Sequence, residues 1–144
     1  MARSDFRFSH RLRVRWAEVD PQNIVFNANY LMYFDVAASE YWRELGFAYP
    51  EGFSKFGADT FVVKAGLEFH APARYDDEID LLVRLARIGR TSMRVAIEVY
   101  RGDDHLVTGE LIYVVADPAT RKPMPVPDAI RAAIAGYERV APEA

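Results

Sequence analysis

The sequence predicts an α+β fold in which a curved antiparallel sheet wraps around a long central helix. Three observations carry that expectation. Residues 29–45 repeat apolar side chains at helical spacing around most of a helix's girth, one period-two segment precedes them, and four more follow, joined by short turn sequences. A helix that apolar calls for burial on several sides, and the concave face of a strongly curved sheet would provide it.

In the first segment Phe6, Phe8, His10, Leu12, Val14 and Trp16 alternate with Arg7, Ser9, Arg11, Arg13 and Arg15, the pattern of a strand with one face on a core. Residues 17–26 then have loop composition. Pro21 restricts Asp20 to an extended or turn conformation, and Glu18 reads as a solvated residue at the strand end. Along the helix, Tyr30, Phe34, Ala37, Ala38, Tyr41, Trp42 and Leu45 recur at spacings of three and four, and Leu31, Met32, Tyr33 and Val36 widen the stripe. Asn27 or Asn29 can cap its start, and Gly46 suits the position just past its end.

Residues 49–57 read as irregular or as a short helical turn, with Pro50, Gly52 and Gly57 as punctuation. Strands are predicted over 60–69, 78–88, 91–101 and 106–116, broken at 72–77, at Gly89-Arg90 and at Gly102-Asp103-Asp104. Four prolines between Asp117 and Pro127 mark a loop. Residues 126–140 read as a surface helix with Pro127 in its first turn and Ile130, Ile134 and Tyr137 on one side.

A chain of 144 residues has the length of one domain, expected over 1–144, and it can bury a core without staples. It contains no cysteine, which excludes a disulfide framework, a thiolate nucleophile and a cysteine zinc site. The formal charge of -3 and the lack of a dense Lys/Arg block argue against a nucleic-acid partner. No apolar run approaches a membrane span, and the first residues do not read as a signal peptide, so a cytoplasmic location is expected. His10, His70 and His105 show no metal-ligand spacing, and His105, beside Asp103-Asp104, reads as solvated.

The stretch Val14-Arg15-Trp16-Ala17-Glu18-Val19-Asp20-Pro21-Gln22-Asn23-Ile24-Val25-Phe26-Asn27-Ala28-Asn29-Tyr30 resembles the strand, loop and helix start of the hotdog-fold acyl-CoA thioesterases of the 4-hydroxybenzoyl-CoA thioesterase type. Residues 68–77, 89–92 and 118–127 extend the likeness along nearly the whole chain. The resemblance implies a sheet wrapping the long helix, homo-oligomers built as dimers or tetramers, and a site between protomers that hydrolyses an acyl-CoA with no cofactor and no metal. It makes Asp20 the catalytic carboxylate and assigns the carbonyl-polarising backbone N–H to Asn27, where many members carry histidine or tyrosine.

The chemistry suits those positions. Asp20 can activate a water or attack the thioester itself, while the unpaired N–H groups of a helix start stabilise the developing oxyanion. By the same resemblance Arg87, Arg90, Thr91 and Ser92, with Arg74, are candidates to hold the phosphates of coenzyme A. Tyr49, Phe56 and Thr60 are candidates to border the acyl pocket. Aspartate before proline also commonly caps a turn, and the arginine group also fits a polar hairpin tip. Two other readings use the same fold: a non-catalytic acyl-CoA-binding module, and an enoyl-CoA hydratase or dehydratase, which would want a histidine partner for Asp20.

Overall fold

The structure, a computed structural model, describes residues 1–144. In chain order the elements are β1 (Phe8–Arg13), α1 (Asn29–Glu44), the one-turn α2 (Glu51–Ser54), β2 (Asp59–Phe69), β3 (Glu78–Ile88), β4 (Ser92–Arg101), β5 (Asp104–Ala116) and α3 (Asp128–Tyr137). The five strands form one antiparallel sheet in the order β1-β3-β4-β5-β2. β1 is shorter than the alternation predicts. Val14 leaves the ladder to exchange hydrogen bonds with Asp76 and Asp77, and Trp16 opens a short 3-10 turn with 70% of its surface exposed.

Period two decides what the sheet buries. Ile79, Leu81, Val83 and Leu85 of β3, Met93, Val95, Ile97 and Val99 of β4, and Val107, Leu111, Tyr113 and Val115 of β5 are all buried in one core. Against this face α1 lays Tyr30, Tyr33, Phe34, Ala37, Tyr41 and Trp42. The closest approach falls at Gly109, where a Cβ would stand 2.4 Å from the Phe34 ring, so a side chain there would push the helix off the sheet. α1 ends in a Schellman motif: Phe47 N–H donates to Trp42 O at 2.9 Å and Gly46 N–H to Arg43 O at 3.1 Å, with Gly46 at φ +87°.

The strand order and the helix-on-sheet arrangement are hotdog-like, but the expectation of a sheet wrapped around a central helix is overturned. The sheet is open: β1 and β2 are its two edges and do not pair with each other. α1 lies on one face, and Leu31, Met32 and Val36 keep 41%, 40% and 39% of their surface exposed. Of the residues that widened the helix's apolar face, only Tyr33 is enclosed by the chain's own sheet. Composition reports how apolar a helix is, and this helix exceeds what one sheet face covers.

The C-terminal segment completes the ladder that β1 leaves short. β1 pairs with β3 from Glu78 to Val83 only. Farther along, Ile88 N–H donates to Glu143 O and Glu143 N–H to Ala86 O, both at 2.9 Å. Leu85 falls in the gap, and its N–H donates to the Glu138 side chain at 3.0 Å. A carboxylate thus stands in for a strand neighbour where α3 hands over to the tail.

Candidate functional site

The loop between β1 and α1 is built from its own backbone. Val19 and Val25 form an antiparallel bridge, Asp20 N–H donates to Ile24 O at 2.9 Å, and Asn23 closes the turn at φ +62° with its N–H on Asp20 O at 2.9 Å. Asp20 Oδ1 accepts the Gln22 N–H at 2.8 Å, so the aspartate does cap its turn. Its second carboxylate oxygen has no hydrogen-bond partner in the chain.

At the helix start neither asparagine acts as the cap. The capping position is Ala28, with helical dihedrals and no side-chain bond, and Asn29 instead turns its amide to donate to Glu18 O at 2.8 Å. The N–H groups of Asn29, Tyr30 and Leu31 donate back to Phe26, Asn27 and Ala28, whereas those of Asn27 and Ala28 have no acceptor in the chain. Such open N–H groups carry the positive end of the helix dipole and are the natural partners of an anionic oxygen.

Asp20 and Asn27 border one cleft of ≈ 340 Å³, together with Gln22, Ile24, Val25, Tyr30 and the Phe69–Pro72 stretch after β2. Tyr30 is buried, with its hydroxyl accepting the Ala73 N–H at 3.2 Å and its ring edge-on to Phe69 at 5.6 Å. His70, on the rim, bonds Thr108 Oγ1 at 2.9 Å. His105 is not the solvated residue its neighbours suggest, since its ring stacks on Tyr100 at 4.6 Å.

The other predicted positions divide. Arg74 joins the cleft region through a backbone bridge to Ile24. Arg87, Arg90, Thr91 and Ser92 surround the β3–β4 turn, at the far end of a strand about 34 Å long, counted from its first residue beside the loop. Arg87 Nε donates there to Ala144 O at 3.1 Å, and the carbonyls of Arg90 and Thr91 accept the N–H groups of Val126 and Val115. Tyr49 and Thr60 meet in a separate hollow of ≈ 230 Å³ beside Asp35, Ser39, Trp42 and Tyr113. Phe56 lies outside that hollow and packs against Phe47 with ring centroids 6.3 Å apart.

The residue that sequence reasoning missed is Glu18. It is 4% exposed. Its carboxylate accepts the Arg15 N–H at 2.8 Å, the Arg15 Nε–H at 2.7 Å and the Tyr33 hydroxyl at 2.9 Å, and it also pairs with the outer Arg15 guanidinium nitrogen. Burial alone would raise the Glu18 pKa, but the Arg15 and Tyr33 donors outweigh it and hold the carboxyl below its ordinary value. Tyr33 is pushed up by its own burial and then by the hydrogen bond to that carboxylate. The Glu18 spacing to Arg15, Arg-x-x-Glu, was the available signal, since a glutamate can reach back to a residue three earlier.

Fold and cleft together define a class: a hotdog-like α+β chain whose cleft is lined by a carboxylate residue, Asp20, and by Asn27, whose N–H at the helix start has no acceptor. A sequence model of the thioesterase superfamily matches residues 22–108, and the chain belongs to that family. It is 28% identical over 125 residues to the acyl-CoA thioester hydrolase YbgC of Escherichia coli O6:H1, an alignment covering 85% of this chain and 92% of that one. The crystal structure of protein PA5185 from Pseudomonas aeruginosa superposes with a TM-score of 0.84 at 23% identity, over 96% of both chains. The 1,4-dihydroxy-2-naphthoyl-CoA thioesterase Slr0204 from Synechocystis gives a TM-score of 0.80 at 18% identity, covering 88% of this chain and 94% of that one. No helix of the structure is long and apolar enough to cross a membrane.

Proposed function

We propose that this chain hydrolyses an acyl-CoA thioester to a carboxylic acid and coenzyme A. The observation that carries the reading is the pairing, in the lining of one cleft, of an aspartate with a free carboxylate oxygen and Asn27, whose N–H at the helix start has no acceptor. Asp20 takes the proton from a water that attacks the carbonyl carbon, or attacks that carbon directly to give an acyl anhydride that water then opens. The carbonyl oxygen lies against the Asn27 N–H, where negative charge is favoured as the tetrahedral intermediate forms. The C–S bond then breaks with its electron pair leaving on sulfur, and the thiolate takes up a proton, from Asp20 in the general-base route and from water in the anhydride route. His70 stands on the rim of this cleft, but its bond to Thr108 gives no reason to prefer hydration chemistry over hydrolysis.

A second copy of the chain completes the site in this reading. β2 is an open edge that exposes Val62 and Val63 by 49% and 61%, next to a helix with Met32 and Val36 uncovered. Antiparallel pairing of two β2 edges would join the sheets. It would bring the partner's Tyr49 and Thr60, and its β3–β4 turn, to the same end of the joined sheet as Asp20. Arg87, Arg90, Thr91 and Ser92 would then serve the coenzyme A bound at the neighbouring cleft, with Arg74 contributed beside that cleft.

The test is thiol release across a panel of aromatic and aliphatic acyl-CoAs, with Asp20→Asn as control and sedimentation to give the oligomeric state. The expected result is turnover of at least one substrate that Asp20→Asn, folded as the wild type, lowers by roughly a hundredfold or more. Tight binding of acyl-CoAs that stay intact on long incubation would replace the hydrolase reading with a binding module.

A further inference from the structure

We infer that Glu18 is a positioning residue, the clamp that holds Asp20 and the Asn27 N–H at a fixed separation across the cleft. The inference rests on the hydrolase reading above and deepens it. Glu18 sits two residues before Asp20, and every polar atom it offers is engaged: its carbonyl with Phe26 and Asn29, its carboxylate with Tyr33 and Arg15, and its N–H with Arg15 O.

Its carbonyl accepts two donors from the other side of the loop, the Phe26 N–H at 2.9 Å and the Asn29 side-chain amide at 2.8 Å. Those residues flank Asn27 on either side. The stretch that carries the open N–H groups is therefore pinned at both ends to the Glu18 peptide. Its carboxylate in turn reaches past this contact to the Tyr33 hydroxyl, one turn farther along α1, and back to Arg15 at the end of the incoming strand segment. One buried residue thus ties the entering chain, the returning chain and the helix.

Rigidity of this kind matters because the two halves of the site sit on opposite arms of the loop. The proposed base and the proposed oxyanion donor lie just past Val19 and Val25. The arms are held together by the Val19–Val25 bridge, with its Asp20 N–H to Ile24 O and Phe26 N–H to Glu18 O bonds, by the Asn23 N–H on Asp20 O, and by the remaining Glu18 contacts. A misplacement on the order of 1 Å between a base and an oxyanion donor costs about a hundredfold in rate. Glu18 does not line the cleft. Its effect runs through the geometry of the groups that do.

Glu18→Gln keeps the shape and one acceptor but removes the charge that binds Arg15. Tyr33→Phe removes a single bond and keeps the ring in the core, so it serves should Glu18→Gln fold poorly. Steady-state thiol release well below the unfolding temperature is expected to show kcat lowered by roughly tenfold to a hundredfold for Glu18→Gln, and severalfold for Tyr33→Phe, with KM changed by less than about threefold. In the Asp20→Asn background Glu18→Gln should add almost nothing, because the geometry it protects has no base to serve. Amide exchange at Phe26 should quicken in Glu18→Gln while Leu85, at the other end of α1, stays as protected as in the wild type. A folded Glu18→Gln or Tyr33→Phe with wild-type kcat, or losses that multiply fully with Asp20→Asn, would overturn the clamp and leave the hydrolase reading standing. A wild-type chain that releases thiol from no thioester would overturn both.

Discussion

Glu18 and Glu138 lie at opposite ends of α1, and each carboxylate takes a hydroxyl from that helix: Tyr33 donates to Glu18 at 2.9 Å and Tyr41 to Glu138 at 2.6 Å. Each also accepts a backbone N–H, from Arg15 in one case and Leu85 in the other. The two differ in the charge beside them. Glu18 has the Arg15 guanidinium on its second oxygen. Glu138 Oε1 is buried with no partner, and nearby Arg84 has its Nε buried and unpaired while its outer nitrogen donates to Val140 O at 3.4 Å. Burial raises the Glu138 pKa and its hydrogen bonds fail to offset it, whereas at Glu18 the donors win. A hydroxyl and a backbone N–H on each buried carboxylate therefore accompany opposite electrostatic outcomes, and Glu18 has the Arg15 guanidinium bonds in addition. At Glu18 the cation is hydrogen-bonded to the carboxylate, whereas at Glu138 Arg84 and Arg7 act without a bond and do not offset the burial.

Removing each side chain outright should hide that difference, because both are structural pegs. Glu138→Ala strands the Leu85 N–H and the Tyr41 hydroxyl inside the core, and should cost about 3 kcal/mol in urea unfolding. Exchanging each carboxylate for an amide should expose it. Glu18→Gln loses charge-assisted bonds and should destabilise by about 1–2 kcal/mol, discounted because the Arg15 side chain is largely in solvent. Glu138→Gln keeps an acceptor for both donors and relieves a buried charge, so it should be neutral or stabilising by up to about 1 kcal/mol at pH 7. Opposite signs for one chemical change would establish the contrast, and equal losses would erase it.

The pH dependence follows with opposite slopes. Glu18 is held below its unfolded value, so its contribution is present above about pH 4.3 and disappears as the pH falls through its folded pKa. Glu138 is raised, so its contribution is complete below about pH 4.3 and is lost as the pH rises through its folded value. Melting curves over this range should show the deficit of Glu18→Gln shrinking toward acid. The relative gain of Glu138→Gln should grow from acid toward neutrality. Parallel curves for the two variants would mean that neither shift operates.

How much of this was legible beforehand differs between the corners for a physical reason. The strands from Glu78 to Ala116 and the helix over 29–44 announce themselves, because periodicity is local and the core is assembled from it. Asp20 and the helix start could be singled out because the one contiguous stretch that holds both resembles the thioesterase motif, whereas by composition alone Asp20 reads as a turn cap. Glu18 belongs to that stretch as well, yet it read as solvated, because its burial depends on Tyr33 folding back over it. Glu138 could not be read at all. Its partner, Leu85, lies 53 positions away, and nothing in either segment marks the gap that β1 leaves in the ladder. The enclosure of α1 failed in the converse way, since an apolar surface indicates that something should cover it without indicating that the cover is the chain's own sheet.

The finest probe of the contrast is the hydroxyl that the two corners share. Tyr33→Phe takes one donor of several from a carboxylate that Arg15 still neutralises, and should cost about 0.5–1 kcal/mol. Tyr41→Phe leaves Glu138 with the Leu85 N–H alone and no cation bonded to its unpaired oxygen, so the remaining charge is less well stabilised and the carboxyl moves further up. Its cost should be the larger, about 1–1.5 kcal/mol at pH 7, and should fall as the solution is made acidic and Glu138 takes up its proton. Combining each phenylalanine with its glutamine partner separates the cases further. Tyr41→Phe should cost measurably less in the Glu138→Gln background than alone, because the charge that made the hydroxyl valuable is gone. Tyr33→Phe should lose less of its effect in Glu18→Gln, because Arg15 had already met most of that charge. Equal couplings in the two cycles would show that the cation at Glu18 contributes nothing beyond what the tyrosine supplies.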